Sequence, residues 1–239
     1  MVSFSSLVLA SSAITATFAA PRPLPDLSGL RERFMKRDTP QGTGINNGFF
    51  YSDWSDGSDY TYNNLAGGEY SVTWTSGSGN LVVGKGWNPG TAKNVTYSGT
   101  WSCPGNGYLS LYGWTVNPLV EYYITENFGT YDPSSAATKK GTVNSDGSDY
   151  TILSTTRTNE PSINGTATFQ QFWSVRQKKR VGGTINTGAH FAAWAKHGMK
   201  MGDFNYMIIA TEGYHSTGSA DIKVGFRAFC VASKLYVSA

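Results

Sequence analysis

The sequence predicts an all-β protein of two packed antiparallel sheets with one short α-helix, and three observations carry that prediction. Short runs that alternate apolar and polar residues recur between clusters of Gly, Asn, Ser and Asp. These runs follow one another too closely to leave room for crossover helices, which argues against βαβ units. A single segment, residues 186–198, repeats its apolar residues at helical spacing.

In chain order, the first element is not part of that fold. Residues 1–19 are apolar and small (Leu7-Val8-Leu9-Ala10), with Ala16-Thr17-Phe18-Ala19-Ala20 at the end, and read as a secretory signal peptide. Ser11-Ser12 and Thr15 interrupt the run before the roughly 20 apolar residues of a membrane span. Residues 20–37 carry Pro21, Pro23 and Pro25, then finish in Lys36-Arg37, the pattern of a pro-segment with a dibasic processing site. Processing there starts the mature chain at Asp38 and leaves 202 residues, the size of one all-β domain. The formal charge of +3 belongs wholly to the leader; the remainder carries 14 basic and 14 acidic residues. A nucleic-acid partner needs a basic face, and the one basic cluster, Lys178-Lys179-Arg180, reads as a solvated turn. No nucleic-acid or membrane partner is therefore expected.

Strands are expected over residues 69–75, 81–84, 108–116, 120–125, 149–157, 166–176, 206–214 and 221–226. The helical segment has Asn186 or Thr187 as N-cap and Gly198 just past its end. Its apolar face, Phe191, Trp194 and Ala195, is expected on the outer side of a sheet, with His190 and His197 at the surface or partly satisfied. The three histidines are scattered and neither cysteine neighbours one at metal-ligand spacing, so no metal or cofactor is expected. Cys103 and Cys230 are free to pair in an oxidising compartment, a pairing the sequence leaves open. Asn94 and Asn164 head Asn-x-Thr sequons and are candidate glycosylation sites. No repeat or second domain is visible, and residues 227–239 form an atypical tail.

Strand alternation sorts the side chains by face. Tyr108, Ser110, Tyr112, Trp114 and Val116 share one face, and Leu109, Leu111, Gly113 and Thr115 the other. The leucine face suits a core between sheets, which turns the rings outward. Glu121 sides with Tyr123, and Glu212 with Tyr206, Ile208, Ala210 and Tyr214. Gln171 sides with Phe169 and Trp173, and Asn80 with Val82 and Gly84. One tyrosine on a sheet needs no explanation beyond β packing. A whole face of rings and amides suits a carbohydrate, whose apolar ring faces stack on aromatics while its hydroxyls bond amides.

Most acidic residues sit in turn contexts. Asp53, Asp56, Asp59, Asp132, Asp146, Asp149 and Asp203 neighbour Gly, Ser or Pro and read as solvated turn formers; Glu160 precedes Pro161, and Glu126 reads as the end of a strand. Glu121 and Glu212 alone combine a strand interior with aromatic neighbours. A poorly hydrated carboxylate costs free energy unless it is paired or used. Two of them on a sugar-type face match the acid and the second carboxylate of glycosidic-bond hydrolysis. A lectin without turnover has no need of such a pair.

The segments Gly84-Lys85-Gly86-Trp87-Asn88-Pro89-Gly90, Leu111 to Tyr123, Pro161-Ser162-Ile163 and Ala210-Thr211-Glu212-Gly213-Tyr214 resemble glycoside hydrolase family 11, the endo-1,4-β-xylanases, from about Asn47 to Val224. The resemblance implies a secreted, monomeric, cofactor-free fungal enzyme acting on xylan. Its domain, residues 38–226, would be a β-jelly-roll sandwich of two antiparallel sheets bent around a long cleft. By that likeness Glu121 is the nucleophile, Glu212 the acid/base and Asn80 the pH-tuning neighbour, predicting a less acidic optimum than an Asp there. Trp54, Tyr112, Trp114, Tyr123, Gln171, Tyr206 and Tyr214 are implied to bind substrate, as are Arg157 and Pro161-Ser162-Ile163 at the base and tip of a thumb loop. Three departures stand out: Val116 where many members carry Arg, the sequon at Asn164 on the thumb, and the tail after Val224. A β-1,4-glucanase on a similar sandwich is the neighbouring alternative.

Overall fold

The computed structural model describes residues 39, 41–75 and 79–225. The expected signal peptide, pro-segment, C-terminal tail and Cys230 lie outside the described residues. Among the described residues fourteen strands and one helix follow in order: β1 (Gly42–Asn46), β2 (Phe49–Ser55), β3 (Tyr60–Asn64), β4 (Glu69–Trp74), β5 (Asn80–Trp87), β6 (Asn94–Ser102), β7 (Gly107–Val116), β8 (Val120–Phe128), β9 (Thr138–Ser145), β10 (Ser148–Ser162), β11 (Gly165–Arg176), β12 (Gly183–Asn186), α1 (Thr187–Lys196), β13 (Asp203–Tyr214) and β14 (Gly218–Val224).

The strands form a nine-stranded sheet, β1-β2-β5-β13-β7-β8-β11-β10-β9, and a five-stranded sheet, β12-β6-β14-β4-β3. Every pairing is antiparallel except β8 with β11, where Gln171 lies beside Glu121 in a parallel register. The β9–β10 hairpin intervenes in sequence, and β11 returns past β10 to the open edge of β8, so its direction is set by the route of the chain.

The leucine face of β7 does enter the core between the sheets. Leu109 and Leu111 pack with Leu81, Val83, Tyr122, Ile124 and Ile209 of the large sheet and with Tyr70, Val72, Tyr97 and Ile222 of the small one. Each such side chain contributes about 1.5–3 kcal/mol by leaving water. Polar groups also join the sheets. Tyr70 Oη lies 3.0 Å from Thr211 Oγ1, and Tyr60 donates to Asp53 Oδ1 at 2.6 Å. Asp53 is thus a buried strand residue rather than a solvated turn former. Lys85, buried in β5, donates to Asn46 Oδ1 and to the carbonyls of Leu65 and Gly67, tying β1 to the β3–β4 turn.

The helix is capped as expected: Asn186 accepts from Ala189 N at 3.1 Å, and Gly198 has φ 71°. Its buried face differs from the expectation. Thr187, His190, Phe191 and Trp194 are buried while Ala195 is exposed, and the face extends the inter-sheet core instead of lying outside it. Trp194 donates to Ser174 Oγ at 2.9 Å, and Phe191 meets Tyr122 edge-on at 5.5 Å. His190 is fully buried against the Tyr150 ring with neither nitrogen hydrogen-bonded, and burial pushes its pKa down to about 4.

Candidate active site

The opposite face of the large sheet carries a second cluster: Phe50, Val82, Tyr112, Trp114, Tyr123, Phe169, Trp173, Tyr206, Ile208 and Ala210. These are the faces that strand alternation assigned together. β8 and β13 both flank β7, so Glu121 lies opposite Trp114 and Glu212 opposite Tyr108, two carboxylates raised from the same side of one sheet.

Their surroundings differ. Glu121 is buried and accepts three hydrogen bonds: Tyr112 Oη and Tyr123 Oη donate to Oε1 at 2.9 and 3.0 Å, and Gln171 Nε2 donates to Oε2 at 2.7 Å. Burial raises its pKa; the three donors and the field of Arg157 pull it back. Glu212 keeps some exposed surface, but its Oε2 is closed off from solvent with no hydrogen-bond partner. Burial, and then the charge of Glu121, push Glu212 up to about 8, against smaller opposing effects of Asn80, Tyr123 and Arg157. Of the two, Glu212 is the one built to keep its proton, because fewer donors stabilise its charged form and the charge of Glu121 opposes its ionisation.

The remaining expected residues surround the pair. Trp54 on β2 lies across from Val82 and is 40% exposed, a ring open to a ligand. Tyr214, two residues beyond Glu212, is likewise exposed, its ring edge-on to His215. Tyr206 packs on Phe50 and Tyr112. Trp114 is deeply buried, donating to Tyr112 Oη at 2.7 Å and packed on Phe169, so it supports Tyr112 from behind. Asn80 begins β5 beside Tyr214, with its Oδ1 buried and unpartnered. Pro161, Ser162 and Ile163 form the tip of the β10–β11 hairpin, and Ile163 packs against the ring cluster. Arg157 sits at the hairpin's bulge, paired with Glu160 at 3.4 Å. Val116 is half-buried at the end of β7, opposite Asp203.

Two neighbours of the pair were not singled out. Tyr108, opposite Glu212, donates to Asn106 Oδ1; the alternation already placed it on this face, and only the register shows its proximity. Trp173 stacks on Tyr123 at 3.9 Å and 10°, fixing the ring that donates to Glu121.

The structure also corrects the reading of Glu126 and Arg180. Glu126 is a further buried carboxylate, the second inside β8. It is ion-paired with Arg180 and accepts from Tyr97 at 3.2 Å and Tyr150 at 2.5 Å. Arg180 is accordingly an internal partner and not part of a solvated turn.

Among the described residues no helix is long and apolar enough to cross a membrane. The model for glycosyl hydrolases family 11 matches residues 46–223. The chain is 59% identical over 230 residues to ethylene-inducing xylanase 1 of Botryotinia fuckeliana, covering 94% of this chain and 78% of that one. It is 59% identical over 225 residues to endo-1,4-beta-xylanase I of Cochliobolus carbonum, covering 94% and 99%. A solved endo-1,4-beta-xylanase structure from Trichoderma reesei superposes with a TM-score of 0.70 at 41% identity, over 77% of this chain and 99% of that one. With its jelly-roll sheets, its facing carboxylates and these relatives, the chain belongs to glycosyl hydrolase family 11.

Proposed function

We propose that this chain is a secreted, monomeric endo-1,4-β-xylanase that cleaves internal xylosidic bonds by a retaining double displacement. The observation that carries the reading is the asymmetry of the pair: Glu121 held by three donors, Glu212 carrying an oxygen with none. A carboxylate whose charge is stabilised suits the nucleophile, and a carboxyl whose pKa is pushed to about 8 suits the acid.

In the first step Glu121 attacks the anomeric carbon. The C1–O bond to the departing sugar breaks as a glycosyl ester forms, and Glu212 gives its proton to the leaving oxygen. Esterification removes the negative charge of Glu121, so Glu212, now ionised, loses the neighbour that raised its pKa. It then takes a proton from water, which attacks C1, releases Glu121 and restores the starting protonation. Trp54 and Tyr214, the exposed rings near the pair, suit stacking on sugar units of the chain. Tyr112 and Tyr123 favour the ionised form of Glu121 and orient it.

Hydrolysis of xylan with the first-formed product in the β configuration, read by NMR, is the expected result. Release of the α anomer, or carboxyl groups near 9 Å apart rather than about 5–5.5 Å, would contradict retention. Binding of xylan without reducing-sugar release would mark a lectin, and preference for carboxymethylcellulose a glucanase.

A further inference from the structure

We propose that Asn164 is a site of N-linked glycosylation and that its oligosaccharide obstructs polymeric substrate at the tip of the β10–β11 hairpin, an inference resting on the secretory and xylanase readings above. Asn164 and Ile163 form the turn between Ser162 and Gly165. Gly165 has φ 80°, Asn164 N donates to Ser162 Oγ at 3.0 Å, and Ser162 Oγ donates to Gly165 O at 2.6 Å. Ile163 turns inward onto the ring cluster, whereas Asn164 is exposed and its side-chain amide has no hydrogen-bond partner among the described residues. Thr166, which completes the sequon, is exposed and pairs with Pro161, a residue with no N–H to donate.

The other sequon is built differently. Asn94 begins β6 in register with Asn186 of β12, and the Thr96 hydroxyl is engaged with Thr184 Oγ1 at 2.9 Å. A sequon in an Asn-Gly turn reaches the acceptor conformation locally, whereas one destined for a ladder competes with strand pairing. Asn164 is thus the better acceptor. In the transfer, Asn164 Nδ2 bonds to the anomeric carbon of a lipid-diphosphate oligosaccharide. The C1–O bond to phosphate breaks, the diphosphate leaves on its lipid, and the amide proton passes to a base of the transferase.

The position gives the modification a consequence. The hairpin carries Arg157, whose charge acts on both Glu121 and Glu212, and Ile163, which rests on the rings beside them. A bulky, hydrated glycan at that tip crowds a long xylan chain more than a short oligosaccharide.

The full chain, secreted by a yeast under its own leader, is compared with N164Q, T166A and N94Q by intact mass and peptide mapping before and after an N-glycan amidase. The expected result is a mass excess on the peptide containing residue 164, lost in N164Q and T166A and kept in N94Q. Glycan removal should raise the ratio of kcat/KM on polymeric xylan to that on a short aryl xylooligosaccharide, and N164Q should match the deglycosylated enzyme. A secreted, cleaved chain with unmodified Asn164 overturns the site. A glycan whose removal leaves the ratio unchanged overturns the obstruction. Retention in the cell with residues 1–37 attached overturns the secretory reading and the site with it; N164Q inactive on xylan beside an active glycosylated parent overturns the obstruction, and inactivity of both overturns the xylanase reading and the obstruction while leaving the glycosylation site to the mass measurement.

Discussion

Glu121 and Glu126 lie on the same strand, buried on opposite sides of the same sheet, and their surroundings have nothing in common but tyrosines. Glu126 faces the core, where the Arg180 guanidinium neutralises it and Tyr97 and Tyr150 fill its remaining lone pairs. Glu121 faces the ring cluster with neutral donors and, among the described residues, no ion-pair partner, and its charge adds to burial in pushing Glu212 up to about 8. Burial by itself therefore does not mark a catalytic carboxylate. A paired buried charge is part of the frame; two buried carboxyl groups that face each other without a cation suit proton transfer.

That contrast can be broken at either end. The largest effect is expected for Glu121→Gln, which should reduce hydrolysis of both xylan and activated aryl xylosides to background while the protein unfolds at an unchanged or higher urea concentration. Loss of fold instead of activity would move Glu121 into the structural class. Glu212→Ala should lower turnover of xylan about 10²–10⁴-fold but spare aryl substrates whose leaving groups need no proton; equal losses would contradict the division of roles.

Arg180→Met addresses the other cluster. It strands Glu126 without its cation and should cost about 3 kcal/mol in urea denaturation, near the low end for a broken buried pair because Arg180 keeps some contact with solvent. Activity per folded molecule should hold.

A smaller effect is expected in pH dependence. Glu212 has a folded-state pKa of about 8, above its ordinary value of 4.5, so the stability tied to its neutral form is full below 4.5 and lost as pH rises through about 8. Glu212→Gln cannot titrate, and its melting temperature should gain on that of the parent between pH 5 and 9. A constant difference would place the proton elsewhere.

The smallest changes are shifts of the activity limbs. Gln171→Met removes a donor that favours ionised Glu121 and should move the acidic limb of kcat/KM to higher pH. Asn80→Ala removes a group that favours ionised Glu212 and should move the alkaline limb upward. Shifts of a fraction of a pH unit are expected for both, and a shift in the opposite direction in either would contradict the assignment.

The two carboxylates proposed as the catalytic pair were legible as strand-interior residues because both interrupt strongly alternating aromatic runs, so each strand face could be read locally. Glu126 was not. Polar Asn127 follows it and the β7–β8 register shifts there, so the run looks finished, and its partners come from β6, β10 and the segment before β12. His190 escaped for a related reason: on a short helix of small residues the apolar stripe is weak, and which side is buried depends on what packs on it. The Asn186 cap and Gly198 end were legible because capping is a local property.

The sequence by itself determined the all-β class, the helix limits, the face on which the rings of residues 108–116 project and the strand-interior placement of Glu121 and Glu212, since alternation and turn chemistry act over a few residues. Only the tertiary structure decided that β11 joins β8 in parallel, placing Gln171 against Glu121, and that Arg180 rather than solvent meets Glu126. Those contacts join residues 50 and 54 positions apart, and a carboxylate's protonation is set by the charges and donors around it in space.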